Sequence, residues 1–459
     1  MAIDRRSFVS FGSAAIGTGA GISTGILPSR AEAQTPAVFA GALDASHFGV
    51  RPGAPTDQGP ELQIAIDEAA RRGMPLFLQP GRYLVSNLTL PGGTYLVGVP
   101  GRTQLLFAGG NHLIYARGAE HVMLTGLTIA AAGNMFTSDT AALVHLRNCE
   151  RLTIDGCTIT GGDRSGLVLE YVSGHVTNCE IADVGEAALL PLDATGLEVS
   201  ANHVHDCRNS GLEIWRSQPG DDGTIVTNNR IERILATKGG SGQNGNGISI
   251  FRAGGVIVSN NRIADCAFSA VRSNAGSNCQ IVSNSCTRLG EVALYAEFGF
   301  EGAVISNNVV DQAAMGISIT NFNEGGRLAV CSGNLIRNLF YRGDANDSES
   351  RGVGIGVEAD TVVANNVIER APRAGLSLGW GHALRDVSAT GNVVRDAGIG
   401  IAVSVAPGAG NAVIADNLIS GAKKGAIVGM QWLDAVTGDL AQAGTEKFPR
   451  LRVERNFAS

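Results

Sequence analysis

The strongest constraint on this chain of 459 residues is a short segment that recurs along it. The stretch Ile225-Val-Thr-Asn-Asn-Arg-Ile-Glu-Arg233 returns as Ile257-Val-Ser-Asn-Asn-Arg-Ile-Ala-Asp265. Aligning shorter versions on the second Asn gives one column: Leu127, Cys157, Cys179, Asn202, Asn229, Asn261, Ser285, Asn308, Asn334, Asn366, Asn392, Asn417 and Asn456. Most intervals in this column fall in the twenties. A self-similar period of this length is typical of a solenoid.

Each repeat also carries a small residue followed by alternating apolar positions, as in Gly211-Leu-Glu-Ile214 and Gly316-Ile-Ser-Ile319. This alternation predicts strands with one buried face. Because no helix of useful length separates the strands, they cannot form βαβ units. Coiling them so that each strand pairs with its counterpart one turn on gives an all-β fold, a parallel β-helix of about 12–13 coils. The recurring Asn suits a turn, where its amide can bond the backbone and the Asn of neighbouring coils.

Residues 1–33 have the character of an export signal. Two arginines, Arg5 and Arg6, precede a weakly apolar run from Phe11 to Leu27, and Ala31-Glu-Ala33 offers a cleavage site. The segment resembles a twin-arginine signal peptide. We therefore expect the twin-arginine machinery to export the folded protein to the bacterial periplasm or beyond. We expect no membrane span in the mature protein.

The segment 34–110 is predicted to form the N-terminal cap and the first coils, and 111–459 the β-helix repeats. Pro60 at the start, apolar residues at 62, 66 and 69, and Gly73 at the end predict a helix over about 60–72. A solenoid needs its open end covered, because bare strand edges invite aggregation. We assign that role to this helix.

The net charge of the chain argues against nucleic acid as a partner. The net charge of −7 becomes −8 without residues 1–33, which hold three arginines and two acids. An acidic chain without a basic run is a poor candidate for nucleic-acid binding.

Of the eight cysteines, Cys157 and Cys179 lie in the Asn column, and Cys207 and Cys266 share another column. This placement predicts buried free thiols rather than disulfides.

The N-terminal order of motifs is more specific. It runs from Phe48-Gly-Val through Thr56-Asp57 and the helix to Leu78-Gln-Pro-Gly-Arg-Tyr83. This order resembles the start of pectate-lyase-like right-handed β-helix proteins. With the export signal and the Asn-Asn repeats, the whole chain resembles the twin-arginine-translocated repeat protein family. The resemblance implies a right-handed β-helix and export. The wider superfamily includes polysaccharide lyases, hydrolases, epimerases and non-catalytic binding proteins, so the fold does not choose among them.

Catalytic motifs of that superfamily are incomplete in this sequence. Asp221-Asp222 has no Asn-Thr-Asp one coil earlier, and Gly381-His382 is followed by Ala383. These departures weigh against a polygalacturonase-like hydrolase. The Asp-Pro-His-Asp motif of alginate epimerases is also missing. No catalytic residue is transferred from either group.

A candidate site follows from strand geometry. On each Gly-apolar-x-apolar strand, the x residue and the residue two further on point outward. In the middle coils these positions are polar, charged or aromatic, and two insertions, 236–246 and 340–351, are predicted to rise as walls on either side. We predict catalytic roles for Arg272, Tyr295 and Glu297, with the arginine neutralising a uronate carboxylate and Tyr295 or Glu297 taking the C5 proton. The predicted substrate-binding residues are Glu213, Trp215, Phe251, Arg252, Asn274 and Asn321. Ordinary ion pairs between coils are the alternative interpretation.

No metal or other cofactor is predicted. His203 and His205 form a possible metal-binding pair, but no third ligand is evident. The segment Asp344–Glu349 has oxygen ligands suited to Ca²⁺ without the spacing of an EF-hand loop, so Ca²⁺ is an unsupported option. Trp380 and Trp432 lie at strand ends, where they can stack on sugars or cover the solenoid.

The leading functional hypothesis is an exported β-helix that interacts with polysaccharide or envelope glycan, as a lyase or epimerase acting on acidic chains. A non-catalytic periplasmic binding protein is the first alternative, and a purely structural solenoid is the second. A low supply of aromatic residues, 24 in all, keeps both alternatives open.

Overall fold

The computed structural model describes residues 41–459 except 135, 138, 139, 241, 345, 346, 348 and 349. The predicted export signal therefore lies outside the described residues. The described chain is almost entirely β-structure, in parallel ladders that wrap around one axis. This arrangement confirms the predicted parallel β-helix.

Three ladders run along the solenoid, and a typical coil contributes one strand to each. The first ladder contains the strands that precede the Asn column. These are Leu43–Asp44, Leu76–Phe77, Thr94–Val97, His121–Thr125, Arg151–Asp155, Gly174–Thr177, Glu198–Ser200, Ile225–Thr227, Ile257–Ser259, Cys279–Val282, Glu301–Ser306, Arg327–Ser332, Thr361–Ala364, Val387–Thr390, Ala412–Ala415 and Leu451–Glu454.

The second ladder contains the strands that follow the Asn column. These are Gly81–Val85, Thr103–Phe107, Thr128–Ala130, Thr158–Thr160, Glu180–Ala182, His203–Cys207, Arg230–Ile234, Arg262–Cys266, Ser285–Leu289, Val309–Asp311, Leu335–Arg337, the first halves of Val367–Leu378 and Val393–Ser404, Leu418–Ser420 and Phe457–Ala458.

The third ladder contains the Gly-apolar-x-apolar strands. These are Leu88–Thr89, Ile114–Arg117, Ala142–Arg147, Ser165–Glu170, Ala187–Leu192, Ser210–Asp221, Ile248–Gly254, Val271–Asn274, Val292–Glu297, Met315–Ile319, Val353–Val357, the second halves of Val367–Leu378 and Val393–Ser404, and Ile427–Gln431. The antiparallel strand Asp434–Asp439 pairs with Ile427–Gln431 and covers the end of this ladder.

The predicted helix is present and spans Gly59–Arg72. Pro60 lies in its first turn, and Gly73, at φ 63°, ends it in the left-handed conformation that glycine tolerates. Its apolar face, with Leu62 and Ile66 buried, packs against the strand Thr94–Val97 of the first ladder. Short 3₁₀ turns occur at Ala45–Phe48, Phe322–Glu324 and Thr445–Lys447. The division between cap and repeats at residue 110 stays a prediction.

The Asn column forms a continuous ladder of buried amides. At nine successive steps between coils, from Asn202 to Asn456, the Nδ2 of one Asn donates to the Oδ1 of the next at 2.9–3.1 Å. The backbone N–H of each Asn donates to the same oxygen, for example at 2.9 Å from Asn229 to Asn261. Nδ2 also reaches a strand carbonyl of the preceding coil, as from Asn229 to Val199 at 2.9 Å. Each amide therefore satisfies buried backbone at a turn, as the sequence pattern predicted.

The preference for Asn at the first position of each Asn-Asn pair is explained by backbone conformation and not by the ladder. Asn228, Asn260 and Asn307 all adopt φ 57°, in the left-handed region that Asn tolerates better than most residues. In other coils Gly333 and Gly391 occupy the same position, at φ 67° and 65°. The doublet thus combines a residue that permits the turn with one that fills the ladder.

One member of the predicted column is wrong by a single residue. The ladder runs from Asn261 to Asn284 at 3.0 Å and from Asn284 to Asn308 at 3.1 Å, so Asn284 and not Ser285 occupies this coil. Ser285 begins the next strand, paired with Arg262. Choosing Asn284 or Ser285 only exchanges the lengths of the two intervals that separate this coil from Asn261 and Asn308. The spacing of the repeats therefore cannot decide between the two residues.

The coil count exceeds the predicted 12–13. Within residues 41–459, apart from the gaps given above, the first ladder holds 16 strands, because the strands Leu43–Asp44, Leu76–Phe77 and Thr94–Val97 precede the first marked position, Leu127. These early coils lack Asn in the column, so the repeat alignment did not register them.

The solenoid interior is one apolar cluster that extends from Ala45 to Leu440. All eight cysteines are free and buried, as predicted. Cys207 and Cys266 share one inward column with Ile234 between them. Among the described residues, no helix combines the length and apolar character needed to cross a membrane.

Removing one amide from the Asn ladder should destabilise the fold. In Asn261→Ala, the carbonyl of Val226 and both the N–H and the Nδ2 of Asn229 lose a buried partner. Buried polar groups without partners cost about 1–3 kcal/mol each, so we expect a loss of roughly 3 kcal/mol or more. Urea unfolding measures the shift. The control is Asn260→Gly, an exposed position at φ 57° where glycine fits, with an expected change within about 0.5 kcal/mol. Equal midpoints for the two variants would contradict the role of the ladder.

Candidate functional site

The outer face of the third ladder carries the two predicted columns in register. Glu213, Ser249, Arg272, Tyr295 and Ser318 pair in succession along one column. Trp215, Phe251, Asn274 and Glu297 pair along the second. The strand alternation in the sequence therefore placed these side chains on the correct face of the solenoid.

In the middle coils, several of these outward side chains are buried instead of open to solvent. Glu213, Arg272, Tyr295 and Glu297 are only 3–9% exposed. Phe268 contacts both insertions, because its ring packs against Gly245 of the first and lies 5.6 Å from the guanidinium of Arg342 in the second. The insertions thus cover the central coils instead of standing apart as walls.

The three residues predicted to be catalytic form one buried cluster. The guanidinium of Arg272 donates to both carboxylate oxygens of Glu297, at 2.6 and 3.0 Å, and lies 4.9 Å from the centre of the Tyr295 ring. Arg272 and Glu297 therefore neutralise one another within the chain. The predicted role of Arg272 as the partner of a substrate carboxylate competes with this pairing.

The insertion 340–351 adds two arginines that the prediction did not include. Arg351 donates to the hydroxyl of Tyr295 at 3.2 Å and lies within 4.0 Å of Glu291. Arg342 and Arg272 also approach the Glu291 carboxylate, at 3.7 and 3.6 Å. Glu291 is therefore a shared anion that holds the insertion onto the third ladder.

Burial dominates the proton affinities of this face. It raises the pKa of Glu297, against the opposing effect of Arg272, and it raises the pKa of Tyr295, against Arg351. Glu213 has no arginine to offset its burial, and its pKa rises to about 7. These carboxyls and the phenol are therefore easier to protonate than the same groups in water.

Apart from the buried Glu213, the predicted substrate-binding residues separate into three places. Trp215, Phe251 and Arg252 form a half-buried group, with the two rings edge to face at 6.1 Å and the Arg252 guanidinium 4.6 Å from the Phe251 ring. Asn274 donates to Glu297 at 3.3 Å. Asn321 lies further along, where its side chain accepts from the N–H of Phe298 at 3.0 Å and borders a cleft.

That cleft has a volume of about 650 Å³ and lies over the later coils of the third ladder. Its floor continues the first column beyond Tyr295, through Ser318, Gly356, Ser377 and Ala402. Because these outward side chains are small, they leave a trough between bulkier neighbours. Four coil steps from Ser318 to Val428, at about 4.8 Å each, give a length of about 19 Å.

Aromatic rings and cations rim this trough. The rings belong to Tyr295, Tyr341, Trp380 and Trp432, and the cations to Arg351, Arg373 and Lys424. Trp380 and Trp432 are 39% and 52% exposed. Trp432 lies in the turn of the hairpin that ends the third ladder, and its indole packs against Gly381, the residue after Trp380.

Carboxylates also border the cleft, from Glu297, Glu358 and Asp434. Glu358 accepts the N–H of Phe322 at 2.6 Å, and burial raises its pKa although this hydrogen bond opposes the shift. The cleft therefore presents aromatic surfaces, positive charge and acids with elevated proton affinity together. The segment Asp344–Glu349, considered for Ca²⁺, falls partly outside the described residues.

The cleft lies further along the solenoid than the coils that the sequence pattern favoured, and the roles predicted for the residues of those coils stay predictions. The pattern favoured coils with large polar outward residues, whereas Gly356, Ser377 and Ala402 looked featureless and mark the cleft. Tyr295, Glu297 and Asn321 are the predicted residues that border it. The available signal was the run of small outward residues combined with Trp380 and Trp432 in the adjoining turns.

The fold and this cleft place the chain among the parallel β-helix proteins. Residues 81–231 and 142–327 match the family model for a right handed beta helix region. Together the matches span 81–327, which is 247 of 459 residues and more than half of the chain. The chain therefore belongs to the right-handed β-helix region family. A search of curated protein sequences found no match.

Several solved structures are similar to the chain at low identity. The N-terminal fragment of bacteriophage phi29 gene product 12 is 12% identical over 84% of this chain and 87% of that one, with a TM-score of 0.50. PfbA, a surface adhesin of Streptococcus pneumoniae, is 14% identical over 84% and 91%, with a TM-score of 0.47. The catalytic unit of a GH87 alpha-1,3-glucanase from Streptomyces thermodiastaticus is 15% identical over 94% and 70%, with a TM-score of 0.46. Of these, the phi29 fragment reaches a TM-score of 0.50, and at 12% identity its likeness shows the fold alone.

Because the Arg272–Glu297 pair is buried, breaking it should lower the free energy of unfolding substantially. Arg272→Ala leaves a buried carboxylate without its bidentate partner, so we expect a loss of about 3–5 kcal/mol in the free energy of unfolding. The matched control is Arg327→Ala, which breaks an exposed pair with Glu301 at 2.5 Å and should cost about 0–1 kcal/mol. Urea unfolding of both variants measures the difference. Similar small losses would show that the buried pair is not needed for folding.

Proposed function

We propose that the cleft binds an acidic polysaccharide and that the protein acts on it as a lyase or an epimerase. The observation that carries the proposal is the combination, over one trough of small side chains, of exposed Trp380 and Trp432 with Arg351, Arg373 and Lys424. A length of about 19 Å accommodates a few sugar units.

Each part of the rim matches one part of such a substrate. Exposed indoles offer flat apolar faces to the C–H faces of sugar rings, a contact that supplies area without burying hydroxyls. Arginine and lysine side chains neutralise carboxylates, and arginine does so with two parallel hydrogen bonds. Neutral glycans make no use of the three cations, so we favour uronate-containing chains.

The proposed chemistry begins with removal of the proton at C5 of a uronate. In elimination, the C5–H electron pair forms a C4–C5 double bond, the bond from C4 to the glycosidic oxygen breaks, and that oxygen takes up a proton. In epimerisation, a proton returns to C5 from the opposite face. Cations at the carboxylate stabilise the negative charge that develops in both reactions.

We assign a proton-transfer role in this reaction to Tyr295. Its hydroxyl borders the cleft and accepts a hydrogen bond from Arg351 at 3.2 Å. Because burial raises the pKa of Tyr295, the phenol is protonated at neutral pH and is suited to donate a proton. Glu297 and Glu358 border the same cleft, and burial raises both pKa values, which makes them the better proton acceptors.

A non-catalytic glycan-binding protein is the second candidate. The bidentate pairing of Arg272 with Glu297 favours it, because each group already satisfies the other. Under this alternative the same cleft binds the same class of polymer and no bond changes.

Binding and catalysis are tested together. The purified chain is incubated with alginate, polygalacturonate and neutral dextran, and ultraviolet absorbance follows new unsaturated ends while NMR follows the C5 configuration. Binding is followed by tryptophan fluorescence, since two of the three tryptophans border the cleft. Trp380→Ala should weaken binding by about 3–10-fold, the equivalent of roughly 0.5–1.5 kcal/mol for one aromatic contact. The control is Trp215→Ala, outside the cleft, which should leave binding unchanged.

The outcomes separate the two candidates. Loss of product formation in Tyr295→Phe with retained binding supports the enzyme. Binding without product in the unaltered chain supports the second candidate. If no uronate polymer binds, or if Trp215→Ala weakens binding as much as Trp380→Ala, the cleft is not a glycan site.

We further propose that the protein is exported in the folded state by the twin-arginine route, as in the repeat family that it resembles. Eight buried free cysteines support this proposal, because a chain that folds in the reducing cytoplasm keeps its thiols. Its final place would be the periplasm or the exterior of a bacterial cell.

Export is tested with a double substitution, Arg5→Lys with Arg6→Lys. The unaltered chain should appear outside the cytoplasm without residues 1–33, whereas the variant should accumulate inside at full length. Cell fractionation and the mass of the purified chain measure both. Equal processing of the two chains would contradict the twin-arginine route.

A further inference from the structure

A second cluster of reactive side chains lies on the outer surface of the second ladder. Glu180 pairs in register with His203 on the next coil, and His205 lies two residues further along the same strand. The two imidazole rings are 4.2 Å apart. One ligand atom from each of the three residues lies within 4.8 Å of the other two. The sequence shows the histidine pair without a third ligand. In the fold, Glu180 of the preceding coil supplies that ligand.

The contacts of His205 define the cluster most sharply. Its Nε2 lies 3.2 Å from a carboxylate oxygen of Glu180, and its Nδ1 lies 2.6 Å from a carboxylate oxygen of Asp206. A neutral imidazole has one N–H, so it can donate to only one of these two carboxylates. With that hydrogen directed at Asp206, Nε2 turns a lone pair towards Glu180. A cation between Nε2 and Glu180 removes the repulsion.

The surroundings orient both rings. Arg233 donates to Asp206 at 2.7 and 2.8 Å and to Glu232 at 2.6 Å. Glu232 in turn lies 3.3 Å from Nε2 of His203. A carboxylate on the far nitrogen of a ligating histidine is the usual outer partner of a metal site, because it fixes the ring and its tautomer.

We propose that Glu180, His203 and His205 bind a divalent transition-metal ion, with zinc as the best match. Two imidazoles and one carboxylate form a ligand set typical of zinc sites that keep an open fourth position. The Glu180 side chain is 51% exposed, which leaves that position to water. Imidazole ligands select this class of metal over calcium and magnesium, which prefer oxygen.

The bound ion would join neighbouring coils. Glu180 belongs to one coil and both histidines to the next, so coordination adds a cross-link to the parallel pairing of the two strands. The site is on the second ladder and shares no residue with the cleft on the third. The inference is therefore independent of the proposed function.

Metal titration of the full chain tests the proposal. After treatment with a chelator and its removal, Zn²⁺ is added in a calorimeter, and Co²⁺ is added in a spectrophotometer to record its visible absorption. We expect one zinc ion per chain with a dissociation constant in the micromolar range or tighter. We also expect intense Co²⁺ bands typical of four-coordinate geometry, and a higher unfolding temperature with zinc.

Three variants locate the site. His203→Ala with His205→Ala should abolish stoichiometric binding. Asp206→Asn changes the outer partner of His205, and its pairing with Arg233, without changing a proposed ligand, and it should weaken binding about 10–100-fold. The matched control is His175→Ala. His175 makes a similar contact between coils, with Glu198 at 3.3 Å, on the first ladder and outside the cluster, so its removal should leave zinc binding unchanged.

Two results would overturn the proposal. One is the absence of stoichiometric zinc and cobalt binding to the unaltered chain, which would leave the cluster as hydrogen bonds between neighbouring coils. The other is equal binding by the chain and the double histidine variant. Glu180→Gln is a further check that keeps folding intact, because the side chain is half exposed, and retention of full affinity in it would count against the assigned ligand set.

Discussion

The structure depends on hydrogen bonding among asparagine amides that stack at one turn of ten successive coils, from Asn202 to Asn456. Every buried amide in the ladder donates both to a strand carbonyl of the preceding coil and to the Oδ1 of the next Asn. That oxygen also accepts the backbone N–H of the neighbouring Asn. A tight turn in a solenoid buries polar backbone that has no strand partner, and unsatisfied groups there are costly. The ladder removes this cost in the coils from Asn202 to Asn456 and fixes their register.

A fixed register converts each outward position of a repeat into a column that runs along the solenoid. Large residues in one column, such as Arg272 and Tyr295, pack into a cluster on the outer face of the strands, where they are nevertheless buried. Small residues further along, such as Gly356 and Ser377, make a trough. The scaffold is uniform, and the site differs from its surroundings through the volume of its side chains. The hairpin that carries Trp432 covers the last strand and also closes the end of the trough.

Both candidate sites use side chains from more than one coil, which the parallel pairing brings close together. The cleft collects side chains from successive strands of the third ladder and from the insertion 340–351. The proposed metal site joins Glu180 to two histidines one coil away. In each case the backbone spacing sets the distance, and arginine contacts hold the side chains in place, from Arg351 at the cleft and Arg233 at the proposed metal site. Rigid repeats suit such sites because each position is supported by neighbours above and below.

The sequence by itself determined the fold, the inward and outward faces of the strands, and the free cysteines, because each depends on a local period that repeats. The alignment missed Asn284 because a shift of one residue, to Ser285, leaves the repeat spacings equally plausible. Only the tertiary structure decided which outward residues are exposed. Phe268 and Arg351 close the central coils through contacts between segments far apart in the chain, and no periodicity encodes these. The partnership of Glu180 with His203 and the depth of the cleft likewise depend on stacking between coils.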